Sequence, residues 1–141
     1  MRNTHFFAAT PPLEAKRVLM SQWSSERVKK GRPLKLHFAD ARKAYFNGRP
    51  ARSLYIKLPK ELGFGNETVG KLERSCYGTR DAGSIWEAFY VDALTSAGFI
   101  QGRSSPCCFW HPLWEVSVIV HGDDFTALGT DASLDLYEKR S

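Results

Sequence analysis

The chain has 141 residues, 43% of them hydrophobic, 13% aromatic and 25% charged, which excludes collagen, coiled coil and wholesale disorder. Its net charge of +5 hides an asymmetry: residues 1–60 hold 14 Lys and Arg against three acids, Glu14, Glu26 and Asp40, whereas residues 61–141 hold six bases against twelve acids. A basic half suits a polyanionic partner such as nucleic acid, and no apolar run approaches the roughly 20 residues that a membrane helix needs.

Three cysteines, Cys76, Cys107 and Cys108, make no disulfide framework. With no secretory signal in Met1–Thr10, the reading is a reducing compartment, cytosol or nucleus, and Asn66-Glu67-Thr68 is then not a glycosylation site.

Thr10-Pro11-Pro12 predicts a helix entrance with a capping hydroxyl and prolines in the first turn. Leu13, Val18, Leu19 and Trp23 follow at helical spacing in a segment that ends before Gly31, with Lys29, Lys30 and Arg32 suited to its C-terminal dipole. Leu34, Leu36 and Phe38 alternate with Lys35, His37 and Ala39 as a half-buried strand ending at Asp40. Asn47-Gly48 is a turn signal, Leu54–Leu58 a strand stopped by Pro59, and Pro59–Val69 a loop. The clearest helix starts near Asp81, with Ala82, Ile85, Trp86, Phe89, Tyr90, Ala93, Leu94 and Ala97 on one broad face. Ser84 and Glu87 have capping-box spacing and Gly98 is its stop. Cys107–Trp110 is a short strand. Glu115–His121 alternates Val116, Val118 and Val120 with Ser117, Ile119 and His121, turns at His121–Asp124, and returns through Phe125–Leu128. A helix begins at Asp131 and is expected to be cut short by the chain's end.

An apolar strand that delivers two adjacent carboxylates, Asp123 and Asp124, is either an Asp-rich hairpin turn or part of a site. Asp40 also ends an apolar strand. Two such strand ends side by side give the oxygen-only cluster that a two-metal phosphoryl-transfer site needs. Cys107, Cys108, His111 and His121 lack zinc-ligand spacing, and His5 and His37 have no evident partner. The four tryptophans read as packing residues, with Trp110 and Trp114 the ones placed to stack on bases.

At these residues the sequence resembles the copia-type retrotransposon reverse transcriptases. Asp40-Ala41-Arg42-Lys43-Ala44-Tyr45-Phe46-Asn47-Gly48 resembles their first palm motif, and Leu54–Pro59 the strand after it. Lys71–Gly78, with Trp86 beyond, resembles the segment leading into the helix that supports template and nucleotide. Ser105–Phe109 resembles the strand before the catalytic hairpin, and His121-Gly122-Asp123-Asp124 stands at the paired aspartates. The ordered likeness runs from about Leu34 to Gly129.

The resemblance implies an α+β fold: a palm, with an antiparallel sheet and helices on one face, plus part of the fingers, truncated before the thumb. Residues 1–33 would belong to the fingers, 34–130 to the palm and 131–141 to the start of a C-terminal helix. It implies RNA-directed DNA synthesis in which Asp40 and Asp123 hold two Mg²⁺ (or Mn²⁺) ions, Asp124 completes the catalytic cluster, and a primer 3′-hydroxyl attacks a deoxynucleoside triphosphate. Lys43, Ala44, Tyr45 and Arg80 would contact the nucleotide, and Arg42, Gly78 and Trp86 the RNA template and DNA primer. The rest of a Pol polyprotein (thumb, RNase H, integrase) is the implied partner, and a cytoplasmic virus-like particle or the nucleus the implied location. Two positions depart from the family pattern: His121-Gly122 stands for Tyr-Val, and Asp81-Ala82-Gly83 for a Gln-Ala-Pro run, where a carboxylate near the triphosphate is unwelcome unless Arg80 pairs with it. The rival reading is a non-catalytic remnant that folds and at most binds nucleic acid. A further rival, an unrelated two-metal nuclease or phosphatase, also brings Asp40 near Asp123 but does not account for the order of the other motifs.

Overall fold

Val116, Val118 and Val120 alternate along one strand, and all three are buried, as is Ile119 between them. Burial on both faces requires cover on both, and the computed structural model, which describes residues 8–29 and 31–139, supplies it. His5 and Lys30 lie outside the described residues. The described chain forms two compact units, Lys43–Phe89 with Ala8, and Ala9–Arg42 with the chain from Tyr90 onward.

In the second unit, helix α1 (Leu13–Glu26) precedes strands β1 (Val28–Lys29) and β2 (Arg32–Asp40). After a helix shared with the first unit come β5 (Ile100–Gln101), β6 (Cys108–His111), β7 (Val116–His121), β8 (Asp124–Thr130) and α3 (Asp131–Glu138). The six strands form one antiparallel sheet in the order β1-β2-β8-β7-β6-β5. β2 and β8 pair in register from Leu34 opposite Thr130 to Asp40 opposite Asp124. Side chains alternate across a sheet, so Leu34, Leu36, Leu128 and Ile119 share one face. There Leu19 and Ala15 of α1 pack on them, with Cys108. The opposite face meets Tyr90, whose ring sits edge-on to Phe109 and Phe125, and Tyr137 of α3, edge-on to Phe99 and His37. Helices therefore cover both faces of the sheet, α1 on one and the two later helices on the other.

Several local expectations give way to tertiary geometry. Helix α1 starts at Leu13 with Pro12 as its N-cap and no side-chain cap bond, so the Thr10 hydroxyl does not cap it. It ends at Glu26 with no base in its last turn, because Lys29 and Arg32 already belong to strands. Of its expected apolar face only Leu19 is buried; Leu13, Val18 and Trp23 are exposed, and the Trp23 indole N–H donates to the Leu34 carbonyl at 3.1 Å.

The first unit holds a two-stranded hairpin, β3 (Tyr55–Lys57) with β4 (Val69–Lys71), and a short 3₁₀ turn at Ala44–Asn47. A second 3₁₀ turn, Lys60–Leu62, interrupts the expected Pro59–Val69 loop. Helix α2 (Ala82–Ser96) runs from the first unit into the second. Its buried stripe is Ala82, Trp86, Tyr90 and Leu94, a strict four-residue spacing, while Phe89 is 48% exposed and Ala93 is exposed. Ser84 lies inside the helix and its hydroxyl donates to the Asp81 carbonyl at 2.9 Å, so it forms no capping box with Glu87. The C-terminus does end at Gly98 (φ +100°). Phe99 N–H bonds Leu94 O and Gly98 N–H bonds Thr95 O, the paired bonds of a Schellman stop.

Candidate metal centre at a strand pair and its hairpin

The sequence between β7 and β8 folds as a two-residue hairpin. His121 pairs with Asp124, leaving Gly122 and Asp123 as the turn. Gly122 has φ +65° and Asp123 has none of the positive φ values, the pattern of a type II′ turn with glycine first. The turn is clipped to the neighbouring strand: the Ala41 N–H donates to the Asp123 carbonyl at 2.9 Å. Asp40 therefore ends β2 beside the hairpin, opposite Asp124.

These pairings bring three carboxylates together. One oxygen from each of Asp40, Asp123 and Asp124 lies within 4.8 Å of the others; Asp40 and Asp124 are exposed and Asp123 is half-buried. Like charges at that spacing repel, and a cation that all three can reach relieves the repulsion. The donor set is oxygen only and open to solvent, which fits a hard divalent ion such as Mg²⁺ or Mn²⁺ and not zinc. Among the described residues no other group of three His, Cys, Asp or Glu side chains converges in this way. His111 is a satisfied core histidine. The Trp114 N–H donates to its Nδ1 at 3.0 Å, so Nε2 carries the proton toward the Ala97 carbonyl at 3.1 Å. Cys107 is buried.

The remaining predicted site residues divide between the units. Arg42 is exposed in the second unit. In the first, Lys43 is exposed with φ +55° and heads the 3₁₀ turn, and Ala44 is fully buried. Tyr45 is half-buried, its ring edge-on to Tyr77 at 4.5 Å. Gly78 is exposed with φ +86° and open space where a Cβ would stand, and Arg80 is exposed. Trp86, expected at the nucleic acid, is buried and stacked on Phe89 with ring centroids 5.6 Å apart, so it packs rather than faces a ligand. Asp81 is buried, neither carboxylate oxygen has a hydrogen-bond partner, and Arg52 Nε stands 3.9 Å from its Oδ2.

Sequence reasoning missed the surroundings of the acids. Lys16 of α1 reaches His121, Nζ to Nδ1, at 3.0 Å. Phe38, one of the apolar residues expected to alternate along a half-buried strand, is 63% exposed. The available signal was its place two residues before Asp40, which puts both side chains on one face of β2.

Over 106 residues, 72% of this chain, the sequence is 24% identical to the retrovirus-related Pol polyprotein from transposon TNT 1-94 of Nicotiana tabacum. The aligned part is 8% of that polyprotein's length. This likeness supports a retrotransposon Pol origin and no finer assignment. No protein-family model matches the chain, and no solved structure matches it. Among the described residues no helix is long and apolar enough to cross a membrane.

Proposed function

We propose that this chain is the palm-bearing polymerase segment of a copia-type retrotransposon Pol polyprotein, an RNA-directed DNA polymerase. The observation that carries the reading is the convergence of Asp40, Asp123 and Asp124 within 4.8 Å at the joined ends of β2, β7 and β8. The order of the resembling motifs and the likeness to a Pol polyprotein support it.

Asp40 and Asp123 would hold the Mg²⁺ ions, with Asp124 completing the cluster. Such ions, when bound, activate the attacking hydroxyl and offset the charge on the leaving pyrophosphate. The chain's own part is placement. The β2–β8 register holds Asp40 opposite Asp124, and the clipped hairpin holds Asp123 beside them, so the acceptors are arranged before any substrate arrives. For Lys43, Ala44, Tyr45 and Arg80 at the nucleotide, and for Arg42 and Gly78 at template and primer, the support is the resemblance. RNase H, integrase and the thumb would lie elsewhere in the polyprotein, and the cytoplasmic particle or nucleus is where this chemistry belongs.

A second reading, a remnant that binds nucleic acid without catalysis, is favoured by Asp81. A buried carboxylate without a hydrogen-bond donor stands where the family has Gln. Primer extension on an RNA template with Mg²⁺ separates the two. The polymerase reading expects incorporation that Asp123→Asn abolishes while template–primer binding persists. Binding without incorporation, and without Mg²⁺ uptake, is the remnant's outcome.

A further inference from the structure

Helix α1 covers only part of its face of the sheet. Leu19 clusters with Leu34, Ile119 and Leu128, and Cys108 packs against them. Two residues along the strands from Cys108 and Ile119, Trp110 stands opposite Ser117, and Ile100 of the edge strand β5 stands opposite Trp110. Side chains two residues apart on a strand share a face, as do cross-strand partners, so this row lies on the α1 side. There Val18 and Gln22 of α1 form the wall, and Ile100, Trp110 and Ser117 the floor, of a cleft of about 440 Å³ that lies wholly within the second unit. Val18 is 66% exposed and Ile100 59% exposed, so neither belongs to the core.

None of the thirteen residues lining the cleft carries a charge, in a chain of which 25% is charged, and Asp40, Asp123 and Asp124 are not among them. An ionic ligand would lose its hydration there without meeting a counter-charge. The polar groups are few and neutral: the Ser117 hydroxyl on the floor, and the Gln22 amide, whose nitrogen donates to Glu26 at 3.5 Å and leaves its oxygen to accept. Thirteen residues are also fewer than the roughly 20–30 a side of a stable protein interface, whereas the volume lies within the roughly 300–1,000 Å³ of small-molecule sites. We propose that this cleft binds a neutral, largely apolar small molecule, an aromatic of two or three rings lying between Val18 and Trp110 with one hydrogen-bonding group toward Ser117 or Gln22. The site is independent of the polymerase reading, since it shares no residue with the acids.

The test titrates the intact chain with N-phenyl-1-naphthylamine, a neutral probe with one N–H that brightens in apolar surroundings, and with 8-anilinonaphthalene-1-sulfonate, which adds a negative charge to the same rings. The neutral probe is expected to bind about tenfold more tightly than the sulfonate, because no cation in the cleft meets the charge. Val18→Glu and Ile100→Glu, both at exposed positions, are each expected to weaken the neutral probe about tenfold or more. Val18→Ile keeps its binding, as does Leu113→Glu, at an 87% exposed position outside the cleft. Thermal denaturation verifies that each variant remains folded. Cys108 also lines the cleft and gives a second readout. Saturating neutral probe is expected to slow its alkylation by N-ethylmaleimide, followed by peptide mass, without slowing that of Cys76 in the first unit. Absence of binding by the neutral probe, binding that ignores both glutamates, or unchanged alkylation of Cys108 overturns the proposal. Self-association of the parent that Val18→Glu abolishes, seen by sedimentation velocity, overturns it too and gives the cleft to a second copy of the chain.

Discussion

Asp40 and Asp124 stand directly opposite each other as the last paired residues of β2 and β8, two like charges facing across antiparallel strands. Such a pair costs stability unless a cation lies between, although both side chains are exposed and solvent screens much of the repulsion. Asp124→Asn is therefore expected to stabilise the metal-free chain by less than about 1 kcal/mol, a rise in Tm of a few degrees. Mg²⁺ should raise the Tm of the parent by mass action and leave that of Asp123→Asn unmoved. Thermal denaturation with and without EDTA checks both. A parent that ignores Mg²⁺ would remove the metal centre.

Gly48 explains the Asn-Gly of the first motif by packing rather than by turn chemistry. It is buried with an ordinary φ of −90°, and a Cβ built on it would overlap the Ile85 Cγ2 of α2 within the same unit. Gly48→Ala should cost about 1–3 kcal/mol, as overpacking does. Ile85→Ala in the same chain should recover part of the loss, giving a coupling of about 0.5–3 kcal/mol in a urea-denaturation double-mutant cycle. Additive losses would show that the two positions do not meet.

What the sequence made legible is what local pattern controls. The Val116–Val120 alternation locates β7, the Gly98 stop locates the end of α2, and the apolar strands ending in Asp40 and Asp123-Asp124 locate the acids, because each depends on neighbours within a few residues. Burial at strand and helix ends was less legible, since distant elements decide it. Phe38 alternates correctly with its neighbours but lies on a stretch of β2 where the helix above leaves it 63% exposed. Phe89 sits at good helical spacing, yet the buried stripe of α2 is narrower than its apolar face. No short-range signal announces that Lys16 reaches His121 or that Arg52 approaches Asp81, at 105 and 29 residues' separation, respectively.

Asp81 is a buried carboxylate in the first unit. Its position at the head of α2 favours a negative charge, but neither oxygen accepts a hydrogen bond, and Arg52, more than half exposed, stands 3.9 Å away. Desolvation outweighs the dipole when no donor compensates it. Asp81→Asn is expected to stabilise the chain by about 1 kcal/mol, and Arg52→Ala to cost less than that, because an exposed guanidinium is well screened. Guanidinium titrations of the two variants decide the matter. A destabilised Asp81→Asn would mean that the folded chain uses the charge.

Tyr137 ties α3 to the sheet and gives the fold an alkaline limit. It is buried on the face of the sheet opposite α1, edge-on to His37 and Phe99, while Lys35–Asp131 at 2.8 Å and His37–Glu138 at 3.0 Å hold the helix on either side. Burial penalises the phenolate and pushes the Tyr137 hydroxyl from 10.0 up to about 12. The unfolded chain therefore releases this proton first as pH rises. The stabilisation is complete below pH 10 and is lost between pH 10 and about 12, amounting to roughly 3 kcal/mol across the window. Urea midpoints measured across that range should fall in the parent and fall less steeply in Tyr137→Phe, which has no proton to lose. Equal slopes in the two proteins would show that another group sets the alkaline limit.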